Sequence, residues 1–317
     1  MDDGLLCSQS KAAISKIENC LSNRFQVRFG DAKCFVGMEI ESSPIGIKIH
    51  QSSYIKRLLE RFKMVDCKPV LTPGDSHQKL SSEMCPKNEL ERAQSSKIPY
   101  QELVGALMFL TSISRPDIAF EVSKASQFMS NYGELHWKAT KRILRYLRGT
   151  ISEGIWFKGN DLELKAFADA DYASNPDTRK SISGFELTLC GGPVTWASRS
   201  QKSVAQSTTE AEYVALADCI KDVIWGRQLL TDLGLAQNIP TEVSSDNQAA
   251  IKLVQNPVYH KRTKHIGVRH HFIRDEQEKQ HIAVKFVPTD MQPADMLTKS
   301  LSSPRLNHCK TMLMILD

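Results

Sequence analysis

The sequence contains no C-x-x-C pair and no Cys/His spacing of a zinc site. Its eight cysteines, Cys7, Cys20, Cys34, Cys67, Cys85, Cys190, Cys219 and Cys309, are scattered singly. That excludes a zinc ribbon or finger and leaves free thiols in a reducing compartment as the expectation. No apolar run approaches the ~18–20 residues of a membrane span, so no membrane partner is expected. Met1-Asp2-Asp3 is acidic where a secretory leader is basic, and an intracellular location, cytoplasmic or nuclear, is expected. No internal repeat occurs, which removes solenoids and propellers. What remains is a globular composition, 41% hydrophobic and 24% charged, over 317 residues, enough for two ordinary domains.

The net charge of +5 is unevenly spread: residues 1–160 carry +6 and residues 161–317 carry −1. A basic half beside an acid-balanced half suits a polyanion platform next to a carboxylate site. The first 75 residues read as short α/β structure. A helix-like stretch at Ser10–Arg24 precedes strand-like Lys33–Ile40 and Gly46–Ile49, then an amphipathic helix burying Tyr54, Ile55, Leu58, Leu59 and Phe62. Residues 76–98 lack periodicity and read as a polar loop; 99–160 read as helices. The last of these, Glu134–Arg148, carries a basic stripe of Lys138, Lys141, Arg142, Arg145 and Arg148 opposite Trp137, Leu144 and Leu147.

From 161 the texture changes to strands at Leu164–Asp169, Ser181–Leu189 and Pro193–Ser198. A long helix at Thr208–Leu233, a strand at Thr241–Ser245, helices at Asn247–Gln255 and Thr263–Lys279, a strand at His281–Val287 and a helix at Pro293–Leu301 follow. The order β-β-β-α-β-α-α-β-α predicts an α/β fold, a mixed five-stranded sheet with flanking helices over 161–301. Residues 302–317 read as a tail.

Hydrolysis of a phosphodiester at neutral pH needs charge neutralisation on the phosphate and an activated water, which two hard cations can supply. Magnesium prefers oxygen ligands, so such a site gathers carboxylates from several elements. Alternation along the first strand puts Phe167, Asp169 and Asp171 on one face and leaves both aspartates open. Glu210 lies in the first turn of the long helix, Asp246 ends a strand before a helix, and Asp295 falls in the last helix. Taken singly, each would be a cap, a dipole partner or a surface charge. Together they carry the signal.

The blocks around these acids resemble the ribonuclease H of copia-type retrotransposons. They are Phe167–Ala173, Thr178–Phe185, Ser207–Leu216 with its Thr-Thr-Glu-Ala-Glu-Tyr core, Asp246–Ile251, Lys261–Ile266 and Pro293–Lys299. The resemblance implies a ribonuclease H-like fold, an RNA–DNA hybrid as partner and two Mg2+ ions, with Mn2+ as a substitute. It places both catalysis and metal binding on Asp169, Glu210, Asp246 and Asp295, favours Asp169 over Asp171, and leaves Glu212 as a surface residue. One departure is the stretch Val287–Ala294, which lacks the mobile His that related ribonucleases H carry before the last Asp.

Upstream, Lys33–Ile40, Tyr54–Pro73, Leu103–Phe120 and His136–Thr150 resemble the last palm strands, thumb and connecting helices of the same polyprotein's reverse transcriptase. By that resemblance Asp2 and Asp3 are vestigial polymerase carboxylates, and the missing upstream polymerase domains are expected in the full-length polyprotein. Polymerisation by this chain alone is not expected. The organisation expected is thus an α+β palm and thumb remnant at 1–75, a polar loop at 76–98, a helical connection at 99–160, the ribonuclease H domain at 161–301 and a tail at 302–317. Two basic handles are candidates for the phosphate backbone: Lys138, Arg142 and Arg145 on the helix, and Lys261, Arg262, Lys264 and Arg269 in the acid-free stretch 260–274. The runner-up reading is a catalytically inactive nucleic-acid-binding remnant.

Overall fold

The N-terminal part builds an antiparallel sheet and packs helices on it. A computed structural model of the chain describes residues 4–159, 161–255 and 267–317. Helix α1 (Lys11–Ser22) buries none of its residues, and Phe25, Val27 and Phe29 behind it are exposed. Strands β1 (Cys34–Phe35), β2 (Met38–Ser43) and β3 (Gly46–His50) pair in sequence order. Helix α2 (Ser52–Arg61) then buries Ile55, Leu58 and Leu59, one side of its turn. The polar stretch expected as a loop contains a 3-10 turn at Ser82–Met84 and α3 (Glu89–Ser95), whose N-cap Asn88 accepts the Glu91 N–H.

Helices α4 (Tyr100–Ile113), α5 (Ala119–Ser126) and α6 (Glu134–Gly149) follow, and β4 (Gly154–Phe157) joins β3. Leu103, Leu107, Leu110, Ile143, Leu144 and Leu147 fill a core with the buried face of α2.

The second sheet runs β5 (Lys165–Asp171), β6 (Ile182–Leu189), β7 (Gly192–Ser200), β8 (Thr241–Ser245) and β9 (Ile282–Phe286), in the spatial order β7-β6-β5-β8-β9. The first three strands are antiparallel; β8 and β9 are parallel to β5. Helix α7 (Thr208–Asp232) supplies the crossover and lays Tyr213, Leu216, Cys219, Ile220 and Val223 on Ala166, Ala168, Phe185 and Val243. Helices α8 (Gln248–Gln255) and α9 (Gly267–Glu278) complete the layer. The fold is therefore mixed α/β with two sheets, the second a ribonuclease H-like arrangement as the element order predicts. Among the described residues no helix is long and apolar enough to cross a membrane.

The tail expected at 302–317 is a correction. It forms α10 (Ser303–Met312) and β10 (Ile315–Leu316), and β10 pairs antiparallel with β4 in the first sheet. Leu306, Cys309, Leu313 and Ile315 are buried with Leu144 and Leu147, so a short stretch with only weak periodicity is fixed by long-range packing. Met296 and Leu297 join the same core, which erases the boundary expected at 301. The helix expected at Pro293–Leu301 is a 3-10 turn, Pro293–Leu297.

Candidate active site

Strand β5 sends Ala166 and Ala168 into the α7 core, so alternation turns Phe167, Asp169 and Asp171 to the other face. Opposite Asp169 on β6 stands Gly184. A Cβ there would lie 2.6 Å from Thr298 Cγ2 and 2.8 Å from Leu297 Cβ, so only glycine lets the segment after Pro293–Leu297 lie on the sheet. That close approach carries Thr298 Oγ1 to Asp169, to which it donates a hydrogen bond, and buried Gln292 donates to the Ala168 carbonyl at 2.9 Å.

Helix α7 decides which glutamate faces β5. Ser207 is its N-cap and accepts the Glu210 N–H at 3.2 Å, while the Glu210 carboxylate accepts the Gln206 N–H at 2.8 Å. The first bond is the N-cap that S-x-x-E encodes; the second goes to the residue before the cap and not to the Ser207 N–H of a closed capping box. Two residues later the helix has turned by about 200°, and Glu212 shares its phase with Leu216 and Cys219, which lie under the sheet. Glu212 is buried and accepts the Ala170 N–H. The expectation of a surface role for Glu212 is thus corrected. Glu210, equally buried, contributes to the helix start.

Asp246 follows β8. The cap of α8 is its neighbour Asn247, whose Oδ1 accepts the Ala250 N–H at 2.9 Å, which frees the Asp246 carboxylate from capping. Thr289 donates to Asp246 Oδ2 at 2.8 Å from the stretch where the related enzymes carry their His.

Asp169, Glu212 and Asp246 converge: one carboxylate oxygen from each lies within 4.8 Å of the others. Asp295 is buried beside them but outside the triad, held by Lys299 Nζ at 2.7 Å and Arg305 Nη2 at 2.7 Å. Lys299 reaches Asp169 at 3.4 Å as well, so its ammonium bridges Asp169 and Asp295. Asp171 is not in the triad. Of the four acids expected, Asp169 and Asp246 are together, Asp295 is linked through Lys299, and Glu212 rather than Glu210 lies within the triad. Helical phase does not separate the two glutamates: both are buried, Glu210 in line with Tyr213 and Ala217 and Glu212 in line with Leu216 and Cys219, and only the contact with β5 and β8 distinguishes them.

The electrostatics follow from burial. Desolvation, then the neighbouring Asp169 and Asp246 charges, push Glu212 up to about 9. Asp169 is raised to about 6, again first by burial, with Lys299 and the Thr298 hydroxyl pulling it down against Asp295 and Asp246. Carboxylates that resist ionising beside one another make a site whose ionised form a cation would stabilise. Three carboxylate oxygens from three elements are the donor type that a hard ion such as Mg2+ prefers.

The basic handles are partly committed elsewhere. Arg142 donates to Thr72 Oγ1 at 3.0 Å, Arg145 to the Lys68 carbonyl at 2.7 Å, and Arg148 to the Val65 carbonyl at 2.9 Å. Lys138 pairs with Glu134. Much of the α6 stripe thus staples the 65–72 segment. Arg269 is half-buried at the start of α9. Lys261, Arg262, Lys264, Asp2 and Asp3 lie outside the described residues.

Residues 1–76 match the reverse transcriptase (RNA-dependent DNA polymerase) family. The retrovirus-related Pol polyprotein of transposon TNT 1-94 from Nicotiana tabacum is 43% identical over 316 residues, covering 99% of this chain and 24% of its own length. That of transposon RE1 from Arabidopsis thaliana is 38% identical over 308 residues, covering 95% of this chain and 20% of its own. The chain therefore spans only a quarter to a fifth of these relatives. The solved structure of LC11-RNase H1, isolated from compost by a metagenomic approach, is similar over 43% of this chain and 93% of its own, at 18% identity and a TM-score of 0.35. With sequence identity running almost end to end, the chain belongs to the copia-type retrovirus-related Pol polyproteins of transposons.

Proposed function

We propose that the chain is a divalent-cation-dependent ribonuclease that hydrolyses the RNA strand of RNA–DNA hybrids. The observation that carries this reading is the buried convergence of Asp169, Glu212 and Asp246 on three elements of a ribonuclease H-like sheet. Magnesium or manganese, when bound, would neutralise the scissile phosphate and lower the pKa of an attacking water. Asp169, Glu212 and Asp246 would hold one ion, and Asp295 would help hold a second, for which the Lys299 ammonium must move aside. Thr298 and Thr289 fix the carboxylate planes of Asp169 and Asp246. Burial behind Gln292 and the Pro293–Leu297 turn restricts water around the carboxylates.

The substrate and the whole polyprotein enter as parts of the same proposal. Phe25, Val27, Phe29, Ile45 and Ile47 are exposed apolar side chains that further polymerase domains of the longer polyprotein would cover. Eight free cysteines fit a reducing intracellular compartment.

The test is cleavage of an end-labelled hybrid by the purified chain, with Mg2+, with Mn2+ and with EDTA. Metal-dependent cutting is expected, and Asp246→Asn or Glu212→Gln should each lower it by on the order of 10³-fold, with Glu210→Gln close to wild type. Equal cutting by Asp246→Asn would sink the site assignment. Binding without cutting under any metal would replace the proposal with the inactive-remnant reading.

A further inference from the structure

A cavity of about 380 Å³ opens beside the carboxylates, between the β5–β6 loop and the connection helices. Its walls come from parts of the chain far apart in sequence: Lys79, Phe128 and Lys124 on one side, Tyr172 and Arg179 on the other. Lys299, which bridges Asp169 and Asp295, lines it too, so the cavity and the catalytic cluster share a wall.

Four cations face one carboxylate, Asp171, in this lining. Lys124 and Lys299 already have carboxylate partners, in Glu121 and in the Asp169–Asp295 pair. Lys79 and Arg179 form no ion pair with a described residue, and both are exposed. A cavity with two such cations at its rim is built for an anion. The rim also carries an aromatic, since Tyr172 is 39% exposed, with Phe128 behind it and Phe120 in the floor. An anion joined to a flat ring is a nucleotide, and base–aromatic stacking is sequence-tolerant.

The place of the cavity says which nucleotide. Asp171 lies two residues beyond Asp169 on the same face of β5, an advance of about 6.7 Å, close to one step along a nucleic-acid backbone. The walls are fixed to one another: the Ser82 N–H and hydroxyl both donate to the Asp177 carboxylate at 2.8 Å, and Asn175 Nδ2 donates to Gln127 Oε1 at 2.8 Å. A cavity of about 380 Å³ has room for a single nucleotide that has left the duplex, and not for a stacked base pair.

We propose that this cavity binds one unpaired nucleotide of the RNA strand immediately beyond the hybrid, its phosphate on Lys79 and Arg179 and its base on Tyr172. The proposal rests on the hybrid-ribonuclease reading and deepens it: the chain cuts at the junction where hybrid ends and single-stranded RNA begins.

The experiment uses the full chain and four end-labelled hybrids of one sequence, blunt or with a single-stranded overhang of RNA on either side or of DNA. Cut positions are mapped with Mg2+, and binding is measured by anisotropy with Ca2+ in its place. One RNA overhang should bind about tenfold tighter than the blunt hybrid and draw the cuts to the junction. Tyr172→Ala should abolish both preferences while still cutting the blunt hybrid at the wild-type rate. The Lys79→Ala/Arg179→Ala double variant should bind more weakly. It should also flatten the dependence of log K on log salt by roughly 0.7, because one single-strand phosphate is no longer neutralised. Overhang preferences that survive in both variants overturn the proposal, as does a gain seen with the DNA overhang alone. If the blunt hybrid is cut in an Asp246-dependent way and overhangs make no difference, the cavity assignment fails and the ribonuclease reading stands. If the wild-type chain cuts no hybrid, both fall together.

Discussion

Two clusters of charge are buried in this molecule, and they are built on opposite principles. In the first, Arg115 makes a two-pronged contact with Asp117 at 2.9 and 2.8 Å through Nε and Nη2; Nη1 donates to the Thr150 carbonyl, and Nη2 donates to its hydroxyl as well. Tyr146 donates to Asp117 at 2.7 Å, and Lys310 of α10 pairs with Glu153 at 2.6 Å. Two cations meet two carboxylates. Burial works against the Asp117 charge, but Arg115 outweighs it and holds that carboxyl below its ordinary range. Among the described residues the second cluster sets Asp169, Glu212, Asp246 and Asp295 against Lys299 and Arg305, and two of its carboxyls are pushed up, as burial pushes Glu153 in the first. The balanced cluster is closed and knits α10 to the helical core. The unbalanced one is completed only by a cation from outside. A buried set of acids points to function through its unmatched charge, and not through burial alone.

The largest effect expected from breaking the contrast is on the balanced side. Arg115→Met strands Asp117 in the core and should cost about 3–5 kcal/mol in urea unfolding. Adding Asp117→Leu should recover most of that loss, because the stranded charge is gone. A single-variant cost under about 1 kcal/mol would mean that the first cluster is no structural lock.

On the unbalanced side the contrast appears as a pH dependence of intermediate size. Asp169 and Glu212 have folded values of about 6 and about 9, above the 3.8 and 4.5 of unfolded carboxyls. The folded state therefore binds more protons. Their contribution to stability is full below the unfolded values and is lost as pH rises, first through about 6 and then through about 9. Added Mg2+ must displace those protons, so its affinity should climb across the same window. Melting curves from pH 4 to 9 in EDTA, repeated with Mg2+, check both signs. A metal-free melting temperature that rises over the upper half of that range, with Asp246→Asn behaving like wild type, would contradict the assignment.

The smallest effect separates the two glutamates of one short motif. Glu210→Gln keeps an acceptor for the Gln206 N–H but loses the charge at the start of α7, and should cost about 0.3–1 kcal/mol in stability. Metal binding by calorimetry should be unchanged in that variant and lost in Glu212→Gln. The reverse pattern would restore Glu210 to the site.

The second sheet was legible because its pattern is local. Period-two runs gave β5, β6 and β7, and the capping serine with its stripe of Leu216, Cys219 and Val223 gave α7. Asp169 and Asp246 were legible as strand-end acids. Glu212 was missed because both acids of that turn sit above buried residues of α7, and which of them meets Asp169 is decided by how the helix lies on the sheet. The α6 basic stripe was read as a nucleic-acid face, yet Arg142, Arg145 and Arg148 hold the 65–72 segment, since a long cationic side chain serves a neighbouring carbonyl as readily as a phosphate.

The sequence by itself determined the order of elements, the strands that carry Asp169 and Asp246, the capping role open to Glu210 and the scattered, unpaired cysteines. These follow from periodicity and spacing, which act over a few residues. Only the tertiary structure decided that Glu212 meets Asp169, that Gly184 admits Thr298 and Lys299 to the site, and that residues 303–316 return to the first sheet. Those outcomes depend on close approach between segments more than a hundred residues apart or on the phase of a packed helix, and no local pattern encodes either distance or facing.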